Sequence, residues 1–171
     1  QTYNSRVRWL IANLGTALVA SSIVAFFEGA IEQMVALAVL MPIVAAIGGN
    51  AAMQTLAVTV RALAMNQLTS SNNWRAIARE MRLALLNGTT VAVIAGTIAA
   101  LWFQDVSLGL VIAAAMVINV FIAGLAGVLV PLALDKLDQD PAVASSIFVT
   151  MVTDSIGFLA LLGLAVATGL T

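Results

Sequence analysis

The sequence predicts an all-α, polytopic membrane protein with five transmembrane helices. Composition, the length of the apolar runs and the placement of the charges point to it. Of 171 residues, 62% are hydrophobic and only 9% charged, and the mean hydropathy is +1.08. A soluble domain carries about 25% charged residues because its surface faces water; this chain has too few to cover such a surface, so its solvent is lipid. A helix needs ~20 apolar residues to cross the hydrocarbon core. Five runs reach that length: Trp9–Phe27, Met34–Val60, Leu83–Phe103, Val106–Leu134 and Pro141–Leu170. Continuous runs of this kind exclude a strand barrel, whose segments alternate and are about half as long.

The charges orient the spans. All seven basic residues fall on one side: Arg6 and Arg8 before the first span, Arg61, Arg75, Arg79 and Arg82 between the second and third, and Lys136 between the fourth and fifth. The opposite loops carry Glu28, Glu32 and Asp105. By the positive-inside rule the N-terminus is expected to be cytoplasmic and the C-terminus, after an odd number of spans, outside. Tyr3, Trp9, Trp74 and Trp102 lie near the expected boundaries, as interfacial aromatics do. The chain is expected to form one transmembrane pore domain over residues 1–171. It opens at Gln1, which suggests a fragment or processed chain, and its first apolar run is too long for a cleavable signal peptide.

Within the elements, the first span is apolar apart from Asn13 and its small hydroxyls. The second holds Pro42, which lacks an amide hydrogen and should loosen the helix, then Gly48-Gly49, with Asn50, Gln54 and Arg61 on one face. Asn72 or Asn73 should cap a helix that runs into the third span; Arg75, Arg79 and Arg82 share a face suited to lipid headgroups or a regulatory contact. The fourth span carries Asn119 near its middle, then Gly124, Gly127 and Pro131, which suggest close packing and a kink. Asp135, Asp138 and Asp140 form an acidic loop, and Asp140 before Pro141 fits an N-cap and first helical position.

The fifth span contains the most informative residue. Asp154 lies near the bilayer centre, where a carboxylate costs at least ~2.5 kcal/mol and is expected to face a polar interior or an ion path. Ser146, Thr150, Asp154 and Gly157 follow helical spacing and line one face. The bland alternatives are a protonated Asp154 bonded to a neighbouring helix, and hydroxyls that bond their own backbone.

There are no cysteines and no histidines, so disulfides, thiolate or imidazole metal sites and His-dependent catalysis are excluded. No HExxH, GxSxG or Walker pattern occurs, so an enzyme is not expected. A net charge of −1 gives no nucleic-acid surface. The available ligands are carboxylate, amide, hydroxyl and backbone oxygens, which suit Mg²⁺, Ca²⁺, Mn²⁺ or an alkali ion. Mg²⁺ is commonly held by one or two carboxylates with waters retained. Two copies of Asp154 facing each other across a symmetric homodimer would match one divalent charge.

The segments Met41–Gln54 (MPIVAAIGGNAAMQ) and Thr59–Ala64 (TVRALA) closely resemble the second membrane helix of MgtE-type magnesium transporters. Asp140–Ser146 (DPAVASS) and Phe148–Gly157 (FVTMVTDSIG) resemble the fifth. The resemblance implies a homodimeric, channel-like Mg²⁺ pore with five helices per chain, in which Asp154 holds partly hydrated Mg²⁺ and Gly49, Asn50 and Thr150 lie close by. Mg²⁺ is then the transported ion, and no separate cofactor is implied. Ala52 stands where the family often has glycine. Cytosolic regulatory domains common in the family are absent from this chain. Two other functions stay open at this point: a proton- or Na⁺-coupled secondary transporter of divalent cations, and a structural membrane subunit.

Overall fold

The computed structural model describes residues 2–68 and 73–171. Five helices in it are long and apolar enough to cross a membrane, and no strand occurs among the described residues. In order they are α1 (Thr2–Phe26), α3 (Ala36–Ala64), α4 (Asn73–Phe103), α5 (Val106–Lys136) and α6 (Pro141–Ala167), with a short helix, α2 (Glu28–Gln33), between the first two. The expected helix running into the third span is present and starts at Asn73; Ser70, Ser71 and Asn72 lie outside the described residues. At ~1.5 Å per residue, the 31-residue α4 and α5 each reach about 46 Å, well beyond the hydrocarbon core.

The helix starts agree with local chemistry. Asp140 accepts a hydrogen bond from the amide of Ala142 at 2.9 Å, with Pro141 in the first turn. Asp105 caps α5 in the same way, from Ser107 at 2.8 Å and Leu108 at 3.1 Å. The stops of α3, α4, α5 and α6 share one device. Asn66, Gln104, Asp138 and Gly169 each have φ between 52° and 69°, and the next amide reaches back to a carbonyl five residues earlier, as in Gln67 to Ala62 and Gln139 to Leu134. That is the left-handed stop in which the last free carbonyls find donors.

α5 is the central post. Half of its span, 50%, is buried within the chain, against 6% for that of α1. α3, α4 and α6 surround α5, whereas α1 packs mainly on α6. Lipid supplies no hydrophobic drive between helices, so close contact depends on small residues. Gly96 and Gly109 let α4 and α5 approach until a Cβ on either would lie 2.7 Å from the other's carbonyl oxygen. Gly124 sits against Ala84 of α4, and Gly127 against Thr55 and the Ala52 carbonyl of α3. The close packing expected of these two glycines is therefore present. Both Pro42 and Pro131 lie inside uninterrupted helices, so the second span loses one amide donor at Pro42 without unwinding.

Two apolar clusters divide the bundle by height. One joins Leu37 and Leu40 of α3 to Ile112 of α5 and Leu162 of α6; the other joins Ala52 and Leu56 to Ala123 and Val149. Residue numbers rise together in α3 and α5 and fall in α6. α6 therefore runs antiparallel to both.

Candidate ion site

Asn119 fixes the relative height of the three helices that bear the site. It is fully buried, and its side-chain amide donates to the Val44 carbonyl at 2.9 Å. The same amide lies where a Cβ would stand on Gly48 of α3, and 2.7 Å from where one would stand on Gly157 of α6. Two glycines thus make room for one asparagine. The Oδ1 of Asn119 is buried without a partner among the described residues. The Val44 carbonyl of α3 is thereby taken up by a side chain of α5.

From this reference level the other polar groups can be placed. Asp154 precedes Gly157 by three residues, which puts it ~4.5 Å nearer the basic end. Because α3 runs the opposite way, Gly49, Asn50 and Ala51 descend from Gly48 through the same ~4.5 Å. Asp154 and the Gly49–Ala51 segment therefore share one level. Asp154 stands thirteen residues from each end of α6, and Asn50 fourteen from each end of α3. Both are at the middle of their helices.

Their surroundings differ from those of Gly48. Asp154 and Thr150 are half-buried, Gly49 is half-buried and Asn50 is exposed. A Cβ on Gly49 would meet nothing within 4 Å, so packing inside this chain does not require glycine there. Among the described residues, no hydrogen bond or ion pair reaches Asp154 or the Asn50 amide. The bland reading of Asp154, an acid bonded to a neighbouring helix, finds no partner among the described residues. Thr150 lends its carbonyl to the Thr153 hydroxyl at 3.1 Å. By contrast Thr59, Thr89, Thr90 and Thr97 satisfy their hydroxyls on carbonyls four residues earlier. In a medium without water an unpartnered carboxylate and amide are each costly. Here they lie at one height, beside bare backbone, on the open side of α3 and α6.

A family model described as MgtE, divalent cation transporter, matches residues 41–164. The chain belongs to the MgtE family. Similar proteins include the magnesium transporter MgtE of Bacillus subtilis, 35% identical over 162 residues, which are 95% of this chain and 36% of that protein. The Enterococcus faecalis magnesium transporter MgtE is 36% identical over 88% of this chain and 33% of its own length. That of Thermus thermophilus is 35% identical over 94% and 36%. The chain thus spans about a third of the length of these relatives. As an MgtE-family chain with five apolar spans, it is a multi-pass membrane protein.

The MgtE match begins at Met41 and takes in Gly49, Asn50, Asn119, Thr150 and Asp154. It covers the site helices and leaves out α1. Gln54, one turn beyond Asn50 on the same face of the unbroken α3, lines a groove between α3 and α4 together with Glu80 and Asn87. Glu80 itself is a site the hydropathy pattern does not reveal. It is 8% exposed and bonded to Arg79 at 3.2 Å. The hydropathy run begins only at Leu83, and the helix expected from Asn72 or Asn73 carries Glu80 on a buried face that the apolar pattern does not mark. Among the described residues no three acids gather as a metal cage. Asp154 is the single acidic residue of α6.

Proposed function

We propose that this chain is the transmembrane pore domain of a Mg²⁺ transporter, residues 1–171, working as a homodimer with its N-terminus in the cytoplasm. Partly hydrated Mg²⁺ is held by Asp154, with oxygens from Gly49, Asn50 and Thr150 close to the ion or its waters. The observation that carries this reading is the unpartnered Asp154 carboxylate, level with the open backbone at Gly49 and the exposed Asn50 amide. The names of the relatives supply the cation. Physical chemistry agrees with it, since all the groups at this level present hard oxygen ligands and Mg²⁺ retains several waters. A single carboxylate leaves a divalent charge half neutralised. Two-fold symmetry brings the second and places the ion at the shared axis.

The test is Mg²⁺ flux into proteoliposomes without an imposed proton or Na⁺ gradient, comparing wild type with Asp154→Asn and Asp154→Ala. Flux in wild type, and its loss in both folded variants, is the expected result. Flux that requires a coupling gradient would replace the pore with a secondary transporter. Unchanged flux in the variants would remove Asp154 from the site.

A further inference from the structure

The groove that takes up Gln54 and Glu80 is one end of a longer valley. α3 and α4 barely touch, and α5 forms the floor between them. Near the basic end the valley is lined by Gln54, Thr55, Glu80 and Asn87 around a volume of about 170 Å³. Farther along the same two helices it is lined by Ile43, Ile47, Ile94, Ile98 and Trp102, around about 200 Å³. Every fourth residue of α5 from Ile112 to Gly124 lies along its floor, so the two volumes follow one line. From Val58 to Leu40 the α3 wall covers about 27 Å, close to the hydrocarbon thickness.

We infer that this valley is a specific phospholipid site, and that its occupant carries a primary ammonium headgroup, as phosphatidylethanolamine does. The polarity follows the order of a lipid in the basic-side leaflet. Charged and amide groups lie towards the interface, and branched apolar side chains lie below them. Glu80 and Arg79 are held 3.2 Å apart, with the Arg79 side chain 65% exposed and that of Glu80 10%. This pair complements a phosphate–ammonium zwitterion: the guanidinium takes the phosphate and the recessed carboxylate takes the ammonium, both as charge-assisted hydrogen bonds. Below them the Gln54 and Asn87 amides can donate to the ester carbonyls. An acyl chain then continues past Ile47 and Ile94. A trimethylated headgroup has no N–H to give Glu80, and a purely anionic one meets a like charge there. The occupant also explains why an acid is kept inside a lipid-facing groove with one short ion pair among the described residues.

The experiment is native mass spectrometry of the purified chain after exchange into equimolar phosphatidylethanolamine, phosphatidylcholine and phosphatidylglycerol. Wild type is expected to retain the ethanolamine lipid about tenfold over the choline lipid, the ratio expected from one charge-assisted bond. Glu80→Gln should erase that preference while some lipid stays bound, and Ile47→Trp, which fills the apolar section, should reduce retention of all three. Thermal unfolding of each variant confirms the fold, and Glu80→Asp restores the preference in part if the carboxylate recognises the headgroup. Equal retention of the three lipids by wild type overturns the inference, as does a preference unchanged in Glu80→Gln. Cross-linking of Ile94→Cys between two copies would also overturn it, by making the valley a subunit contact.

Discussion

Gly48 and Gly49 are neighbours in sequence, yet the structure gives them different tasks. At Gly48 a methyl group would collide with the Asn119 amide, with Cγ 2.7 Å away. Asn119 cannot swing aside without breaking its 2.9 Å bond to Val44 inside a fully buried setting. Gly48→Ala is therefore expected to destabilise the chain by about 1–3 kcal/mol, the usual cost of overfilling a packed site, and thermal unfolding in detergent would read it. Gly49 meets nothing within 4 Å. Gly49→Ala should leave unfolding unchanged or slightly raised, since alanine favours a helix over glycine by about 1 kcal/mol. If bare backbone at Gly49 approaches the hydrated ion, the same variant lowers Mg²⁺ flux. Stability and flux should thus separate across two adjacent residues. The reverse pattern would show that Asn119 does not set the level of the site. From sequence alone the pair read as a single feature, because nothing local distinguishes a glycine that faces a neighbour from one that faces open space.

Helix boundaries show the same division between what sequence carries and what only packing decides. The start of α6 was legible, because Asp140-Pro141 states a cap and a first turn in two residues. Asp140→Ala should remove the bond to Ala142 and cost about 1 kcal/mol. The helix stops were not legible. Three of the four left-handed stops use Asn66, Gln104 and Asp138 where glycine is the usual signal. A β-carbon in that conformation costs roughly 1–2 kcal/mol, so Asp138→Gly is expected to raise the unfolding temperature where Asp140→Ala lowers it. If both shift it in the same direction, the loop between α5 and α6 is not held by these two devices. Hydropathy located all five spans but starts the third at Leu83, whereas the apolar part of α4 reaches back to Ile77 and the cap signal at Asn72 or Asn73 marked the helix start. The arginines and Glu80 in that first stretch lower its mean hydropathy although the backbone is already helical. The Asp154 stripe was visible because a carboxylate in an apolar run needs no partner information to stand out. The Glu80 groove needed α4 to be laid beside α3.

At the scale of the molecule, one chain offers the proposed divalent ion the single carboxylate of Asp154. Orientation is tested first and directly. The chain has no cysteine, so single cysteines at Asp138 and Thr168 should react with a membrane-impermeant thiol reagent from opposite sides, Asp138 from the cytoplasm. Labelling of both from one side would remove the expected topology. The sharper question is whether two chains share one ion. α1 contributes little to the bundle, with 6% of its span buried, and Asp154 and Asn50 have no side-chain partners among the described residues. A shared site makes a definite demand on mixtures. When wild type and Asp154→Asn are co-reconstituted after free exchange of subunits, an ion held by both carboxylates passes only where both partners are wild type. Flux then follows the square of the wild-type fraction, and an equal mixture retains about a quarter of full flux. If each chain carries its own path, the same mixture retains about half, and the dependence is linear. The curve therefore separates a two-fold ion site from two independent ones without any further structure, and a linear result would move Asp154 from a shared axis into the interior of a single protomer.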